Sequence, residues 1–231
     1  MELGAAALPH RVEAVTRSAL SCEVAAGIAL ITLGMDAVSL CSDLVLELTA
    51  ALEHADLDPD VFMIVLRHEG DFLSMGFSES TRADPEMFSH LQASLSGLVA
   101  LARRIPKLIV VELTGRVEAE GLVLLRLGEV TLATADSSLR PGDLEWLPAE
   151  LLAVPGVDAR RSFAVLLAGR DLTAADGAEL GLVTVVVESG GLVSMRAELL
   201  ARVRNAGPTG IARLKRILWE ASPRAAPRSS G

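Results

Sequence analysis

Few side chains in this sequence have the type and spacing that chemistry requires. The four histidines, His10, His54, His68 and His90, show no ligand spacing and no Asp, Glu or Cys cluster joins them, so no metal is expected. Ser74 and His68 do not make a nucleophile pair, because nothing in the pattern orients the imidazole as a base. No G-x-G-x-x-G or Walker-type loop occurs to cradle a phosphate. Tyrosine is absent, which removes every mechanism that needs a phenol. Arg103-Arg104 with Lys107 has two readings: a contact for a substrate phosphate, or a solvated helix end whose charge complements the dipole. Gly142-Asp143 before Leu144 is a good helix-cap sequence. Cys22 and Cys41 make no disulfide framework and read as two buried, reduced thiols.

The elements that must position any site follow from periodicity. Ala26–Leu33, Val61–Arg67, Leu108–Leu113, Glu129–Ala135 and Leu182–Val187 are short apolar runs that read as strands. Ser42–Ala55 reads as a helix with Ser42 as its cap and Leu44, Leu48, Ala51 and Leu52 on one face. His68–Glu79 reads as a Gly-containing loop. Asp84 and Pro85 open a long helix to about Ile105, with Phe88, Leu91, Leu95, Leu98, Leu101 and Ile105 as its stripe. Glu118–Leu127, Asp158–Ala168, Ala174–Leu180, Leu192–Arg204 and Gly210–Ala221 read as further helices, and Asp143–Leu152 is ambiguous. Strands alternating with helices indicate an α/β architecture.

Composition narrows the function classes. The chain has 231 residues, a length that suits one large domain. A net charge of −9 argues against nucleic acid and anionic membrane surfaces. Aromatics are 3% of the chain, too few to build a stacking platform for bases. Mean hydropathy is high, at +0.43, yet the early apolar run Val24–Met35 is broken by Gly27 and Gly34, and a spanning helix needs roughly 18 or more apolar residues. The apolar excess is therefore assigned to a core or to subunit interfaces. No basic patch followed by an apolar stretch opens the chain, so a cytoplasmic protein is expected.

Several segments, taken in order, resemble the crotonase (enoyl-CoA hydratase/isomerase) superfamily over roughly residues 24 to 221. Ile64-Val65-Leu66 followed by Phe72-Leu73-Ser74-Met75-Gly76-Phe77 looks like the family's strand and first oxyanion loop. Ile105-Pro106-Lys107-Leu108-Ile109-Val110-Val111 with Leu113-Thr114-Gly115 looks like its "PKPVIAAVNG". Gly121-Leu122 stands at the end of its Gly-rich turn. The most specific match is Leu167–Val183, close to "LLTGRRISAEEALRLGLV". The resemblance implies a right-handed spiral of ββα units with a truncated C-terminal helical region, assembled as a homotrimer. It divides the chain into an N-terminal extension (1–20) and a crotonase-like domain (21–221), and the Pro, Arg, Ser and Gly from Ser222 onward read as a disordered tail (222–231). It also implies an acyl thioester whose carbonyl oxygen sits between two backbone N–H groups that stabilise an enolate.

Carried over residue by residue, the resemblance makes Met75 the first N–H donor, with core packing of Met75 as the other reading. The second donor comes from Glu118-Ala119-Glu120-Gly121, with Glu120 at the usual position and only Gly121 kept from the family's glycines. Of the two carboxylates that hydratases use, the first falls on Val123, which does no acid–base chemistry, and the second on Asp143. Asp143 is thus an acid/base candidate as well as a cap candidate, with Glu145 behind it. Gly115–Leu122 further resembles "GKVNAGGLG" of the dehydratases of polyketide β-branching. That implies a 3-hydroxy-3-methylglutaryl group on acyl carrier protein, no cofactor beyond the phosphopantetheine or CoA that carries the substrate, and a polyketide synthase as possible partner. The alternative is a catalytically impaired accessory crotonase that binds or assists such a synthase or carrier protein.

Overall fold

Ala26-Gly27 reverses the chain between two strands. Both residues have positive φ, 51° and 87°, the backbone that a two-residue hairpin turn demands. Gly27 is needed twice over, because a Cβ there would meet Phe62 Cδ2 and Arg204 Nη2 at 2.8 Å. The hairpin pairs β1 (Leu20–Ala25) with β2 (Ile28–Leu33). The computed structural model describes residues 20–34, 39–70, 72–74, 76–77, 81, 83–140, 160, 167 and 169–220.

From β2 the chain passes through β3 (Ser39–Leu40), α1 (Ser42–Leu57), β4 (Met63–His68), β5 (Phe72–Ser74), β6 (Gly76–Phe77) and α2 (Pro85–Arg104). Then come β7 (Leu108–Leu113), β8 (Arg116–Glu118), a 3₁₀ helix (Ala119–Arg126), β9 (Val130–Thr134) and β10 (Ser138–Arg140). The last described elements are β11 (Leu172–Thr173), α3 (Ala174–Glu179), β12 (Val185–Val187) and α4 (Leu192–Glu220). A six-stranded sheet runs β1-β2-β4-β7-β9-β12, parallel except for β1. A four-stranded sheet runs β11-β10-β8-β5. The winding repeats: β4, β7 and β9 lie in the first sheet, and each is followed after a short corner by β5, β8 or β10 in the second. This is the α/β spiral of ββα units that the resemblance implied.

The unbroken apolar runs are explained by burial on both faces of parallel strands. Ile64, Leu66, Ile109, Val111 and Leu113 pack into the core shared with α1 and α2. Met63, Val65, Leu108 and Val110 face the opposite way, onto Leu200, Val203 and Ile211 of α4. The stripe of α2 is buried as its periodicity predicts, at Leu91, Leu95 and Leu98, with Phe88 and Leu101 packed at its margin. Asp84 caps it, accepting from the N–H groups of Glu86 and Met87 at 2.9 and 3.2 Å. Asp84→Ala is expected to cost about 1 kcal/mol, read as a lower urea midpoint with an unchanged slope. In α4, Gly207 takes φ 66° before Pro208, so the helix is two arms, as the sequence reading had it.

Four local readings change. Ser42 is not the cap of α1: Cys41 holds that position with no side-chain hydrogen bond, and Ser42 is the first helical residue. The loop read over His68–Glu79 contains β5 and β6, strands of three and two residues that leave no periodicity to see. Glu118–Leu127 begins as a strand and continues as a 3₁₀ helix. Cys22 is exposed on an edge strand, not buried, and Cys41 is half-buried. Asp143–Leu152, most of Asp158–Ala168, the segment 1–19 and the tail from 221 lie outside the described residues.

One charged residue, Glu112, sits on the α4-facing side of β7. Arg196 Nε lies 3.1 Å from its Oε1, an ion pair without a directed hydrogen bond. Burial pushes the Glu112 carboxyl above its usual range, and Arg196 and Arg67 pull it back. A carboxyl raised by folding contributes fully below its unfolded pKa, and that contribution is lost as pH rises through the folded value. Stability is expected to fall over that window, and Glu112→Gln to flatten the fall when urea midpoints are followed against pH.

Candidate active site

The described strands that flank the candidate residues lie where the chain turns from one sheet into the other. Leaving β4, it passes Gly70, which has φ 77°, and enters β5; leaving β7, it passes Gly115, with φ 59°, and enters β8. Glycine suits such corners because it takes positive φ without a Cβ clash. β5 and β8 then run parallel in register, Leu73 beside Val117 and Ser74 beside Glu118. Met75 follows Ser74, and Ala119-Glu120-Gly121 follow Glu118, so the two candidate donor segments spring from neighbouring, hydrogen-bonded strands. β10 lies on the other side of β8, with Arg140 beside Glu118. Asp143 follows Arg140 by three residues in the sequence.

Glu120 and Gly121 occupy the first turn of the 3₁₀ helix, whose opening N–H groups have no acceptor inside the helix. The Glu118 side chain does not cap them; it pairs with Arg116 at 2.5 Å and Arg140 at 3.5 Å. Arg140 also reaches Asp171 at 3.3 Å, so two guanidinium groups and two carboxylates balance beside the site. Gly121 is tightly surrounded: a Cβ would lie 3.4 Å from Leu73 Cδ2, Leu73 Cγ and Val117 Cγ1. Gly121→Ala is expected to fold after shifts of a few tenths of an ångström. Gly121→Val, whose added methyls have no room there, is expected to cost about 1–3 kcal/mol. Urea denaturation of the two variants side by side checks this, and equal stability would contradict it. Val123 is 3% exposed in the aliphatic core, so nothing at that position moves protons.

Met75, Asp143 and Glu145 lie outside the described residues, as does the side chain of Glu120. Among the described residues, no three His, Cys, Asp or Glu side chains converge as a metal site. The Arg103, Arg104 and Lys107 group divides in an unforeseen way. Lys107 Nζ donates to the carbonyls of Ala55 and Asp58, both at 2.6 Å, closing the end of α1, and Arg103 stacks over Trp219 at 4.1 Å.

The sequence reading weighed His68 only against Ser74 and passed over the other polar groups at the corners. His68 is buried at the end of β4, with Nε2 3.4 Å from Thr114 Oγ1. The Thr114 hydroxyl is 3.5 Å from the Gly70 carbonyl. At the next corner, Ser137 Oγ donates to the Leu113 carbonyl at 3.1 Å and lies 2.8 Å from Thr134 Oγ1, while the Ser138 N–H donates to Gly115 O. The one signal in the sequence was a histidine and three hydroxyls at or beside the ends of largely apolar strands.

Two sheets joined at three successive corners define a crotonase-type fold. A family model described as enoyl-CoA hydratase/isomerase matches residues 23–230, and the chain belongs to that family. It is 24% identical over 196 residues to a probable enoyl-CoA hydratase of Mycobacterium bovis, covering 78% of this chain and 69% of that one. Its fold is similar to a probable enoyl-CoA hydratase of Mycobacterium smegmatis (TM-score 0.74, 25% identity, 88% and 86% of the chains). A probable enoyl-CoA hydratase of Mycobacterium thermoresistibile is comparable (TM-score 0.73, 26% identity, 87% of each chain). No helix among the described residues is long and apolar enough to cross a membrane.

Proposed function

We propose that this protein is a lyase that removes water from, or adds it to, a thioester-bound β-hydroxyacyl group. The observation that carries the reading is the parallel pairing of Phe72–Ser74 with Arg116–Glu118, from which the Met75 and Glu120-Gly121 segments emerge side by side. Backbone N–H groups from those segments hold the thioester carbonyl oxygen as it becomes an enolate oxygen. Asp143 takes the proton from Cα; the Cβ–O bond breaks, and the same carboxyl returns that proton to the departing hydroxide, giving water and the enoyl thioester. One carboxylate serves both transfers because Val123 fills the position of the family's first. No cofactor takes part beyond the phosphopantetheine that tethers the acyl group.

The Gly115–Leu122 segment favours a carrier-protein-bound 3-hydroxy-3-methylglutaryl group over a CoA ester, with a polyketide synthase as the enzyme's neighbour, and the crotonase resemblance as a whole favours a homotrimer. The relatives named as enoyl-CoA hydratases supply the CoA alternative. Intact-mass assay with 3-hydroxy-3-methylglutaryl-acyl carrier protein, and with crotonyl-CoA in parallel, tests this. Loss of one water from the carrier-bound group supports it; gain of one water by crotonyl-CoA alone moves the substrate to CoA esters. The aliphatic burial of Val123 favours a second reading, an accessory crotonase without turnover. No mass change on either substrate, together with capture of a synthase or carrier protein, would establish that one.

A further inference from the structure

At the starts of β4 and β7, the end of the sheet away from the candidate site, a cavity of about 240 Å³ lies beside the break in α4. The break makes the space. Gly207 has φ 66° and Pro208 opens the second arm, so the two arms part between Val203 and Ile211, whose side chains line the floor with Val61. All three are at least nine-tenths buried. Phe62 forms one wall and is held there, because Arg204 lies over its ring at 5.2 Å and donates from Nη2 to Ala26 O at 2.8 Å. Pro59 and Pro208 are exposed, so the cavity opens to solvent on their side. Walls that are fixed before a ligand arrives lower the cost of binding it.

The charged groups of the lining are Asp56, Asp58 and Lys107. Lys107 Nζ gives two of its three protons to Ala55 O and Asp58 O, both at 2.6 Å. Asp58 Oδ1 accepts from the Asp60 N–H at 2.8 Å. The Asp56 carboxylate accepts no hydrogen bond among the described residues. Two half-buried carboxylates against one lysine leave the lining with negative charge in excess, on walls that are otherwise apolar. We propose that this cavity is a second binding site that takes a small amine, its apolar body against Val61, Val203 and Ile211 and its ammonium group on Asp56 and Asp58. The volume suits a ligand smaller than drug-sized ones, whose sites run to about 300–1,000 Å³. Lys107 keeps one proton, so a small carboxylate is the rival ligand that a test must separate. The site is independent of the thioester reading, since Val61, Phe62, Pro106 and Lys107 precede the strands whose far ends carry the candidate site.

The test uses three probes that share one body and differ in the head group: 2-phenylethylamine, 2-phenylethanol and 3-phenylpropionate. Each is titrated into the full chain at neutral pH and followed by saturation-transfer NMR. The amine is expected to bind with a Kd on the order of 1 mM, as its few atoms allow, and at least about tenfold more tightly than the alcohol, the scale of a hydrogen bond to a charged group. The carboxylate is expected to bind more weakly than either. Asp56→Asn with Asp58→Asn keeps the shape of the lining and removes its charge. It is expected to bring the amine down to the affinity of the alcohol and to leave the alcohol unchanged. Val203→Phe, which fills the floor, is expected to abolish binding of all three; a urea midpoint confirms that the variant is folded, and if it is not, the Asp-to-Asn pair decides alone. No binding by the amine would overturn the proposal, as would equal affinity for the three heads or a preference for the carboxylate. So would an amine preference that survives loss of both carboxylates, or binding that persists in folded Val203→Phe.

Discussion

Asp143→Asn is expected to lower turnover of the β-hydroxyacyl thioester by about 10²- to 10⁴-fold, the range lost when a positioned acid/base group is removed. Substrate binding is expected to stay within a few-fold. The substitution separates the two readings of this residue. Asparagine caps a helix about as well as aspartate, so a purely structural Asp143 would tolerate the change in both stability and rate. An acid/base Asp143 would not, because the amide neither takes nor returns a proton at neutral pH. The effect should sit at the upper end of the range, since Val123 is buried in the core and offers no second carboxylate to share the work. Turnover equal to wild type, with a folded protein, would reduce Asp143 to a cap.

Lys215→Met is expected to destabilise the protein by about 3–5 kcal/mol, the cost of leaving a buried charge without its partner. At the opposite end of the sheet from the site, Lys215 Nζ donates to Glu129 Oε1 at 2.9 Å, to Ala102 O at 2.9 Å and to Lys107 O at 3.0 Å, which uses all three of its protons. Glu129 accepts further from the Ile109 N–H at 3.0 Å and from Trp219 Nε1 at 3.2 Å. Burial pushes the Glu129 carboxyl up and the Lys215 ammonium down, while each draws the other back toward its charged form. The cluster fastens the second arm of α4 to the starts of β7 and β9. Removing both charges together, in Lys215→Met with Glu129→Leu, is expected to recover most of the loss, because a packed apolar pair carries no desolvation cost. Urea midpoints of the two single variants and the double variant form the cycle that checks this. A loss below about 1 kcal/mol for Lys215→Met would mean that water reaches Glu129 in its place.

What was legible in the sequence is what local physics writes there. Leu108–Leu113 is buried on both faces and so reads as a strand from composition alone, with the observed boundaries. Asp84-Pro85 announces the start of α2 because cap and first-turn chemistry need no tertiary partner. Ser42 misled for the same reason: it is a good cap by type, but the chain enters α1 one residue earlier, with Cys41 extended. β5, β8, β10 and β11 are three residues long or fewer and draw their order from neighbouring strands, so no period reveals them. The resemblance, which rests on the order of motifs, supplied Met75, Glu120, Gly121 and Asp143 as candidates. It could not show that Ser74 pairs with Glu118 and Glu118 with Arg140, because register across a sheet is a tertiary fact. Nor could it connect Lys215 with Glu129, or His68 with Thr114, whose polar atoms meet only after folding.

The measurement closest to the central claim is exchange of solvent deuterium into the α-carbon of the 3-hydroxyacyl thioester, followed by mass spectrometry in wild type and in Asp143→Asn. Enolate chemistry with one carboxylate predicts that the wild type introduces deuterium at Cα through reversible water loss, and that Asp143→Asn binds the thioester but exchanges it at least about 10²-fold more slowly. A wild-type protein that binds the thioester without any Cα exchange would contradict the account.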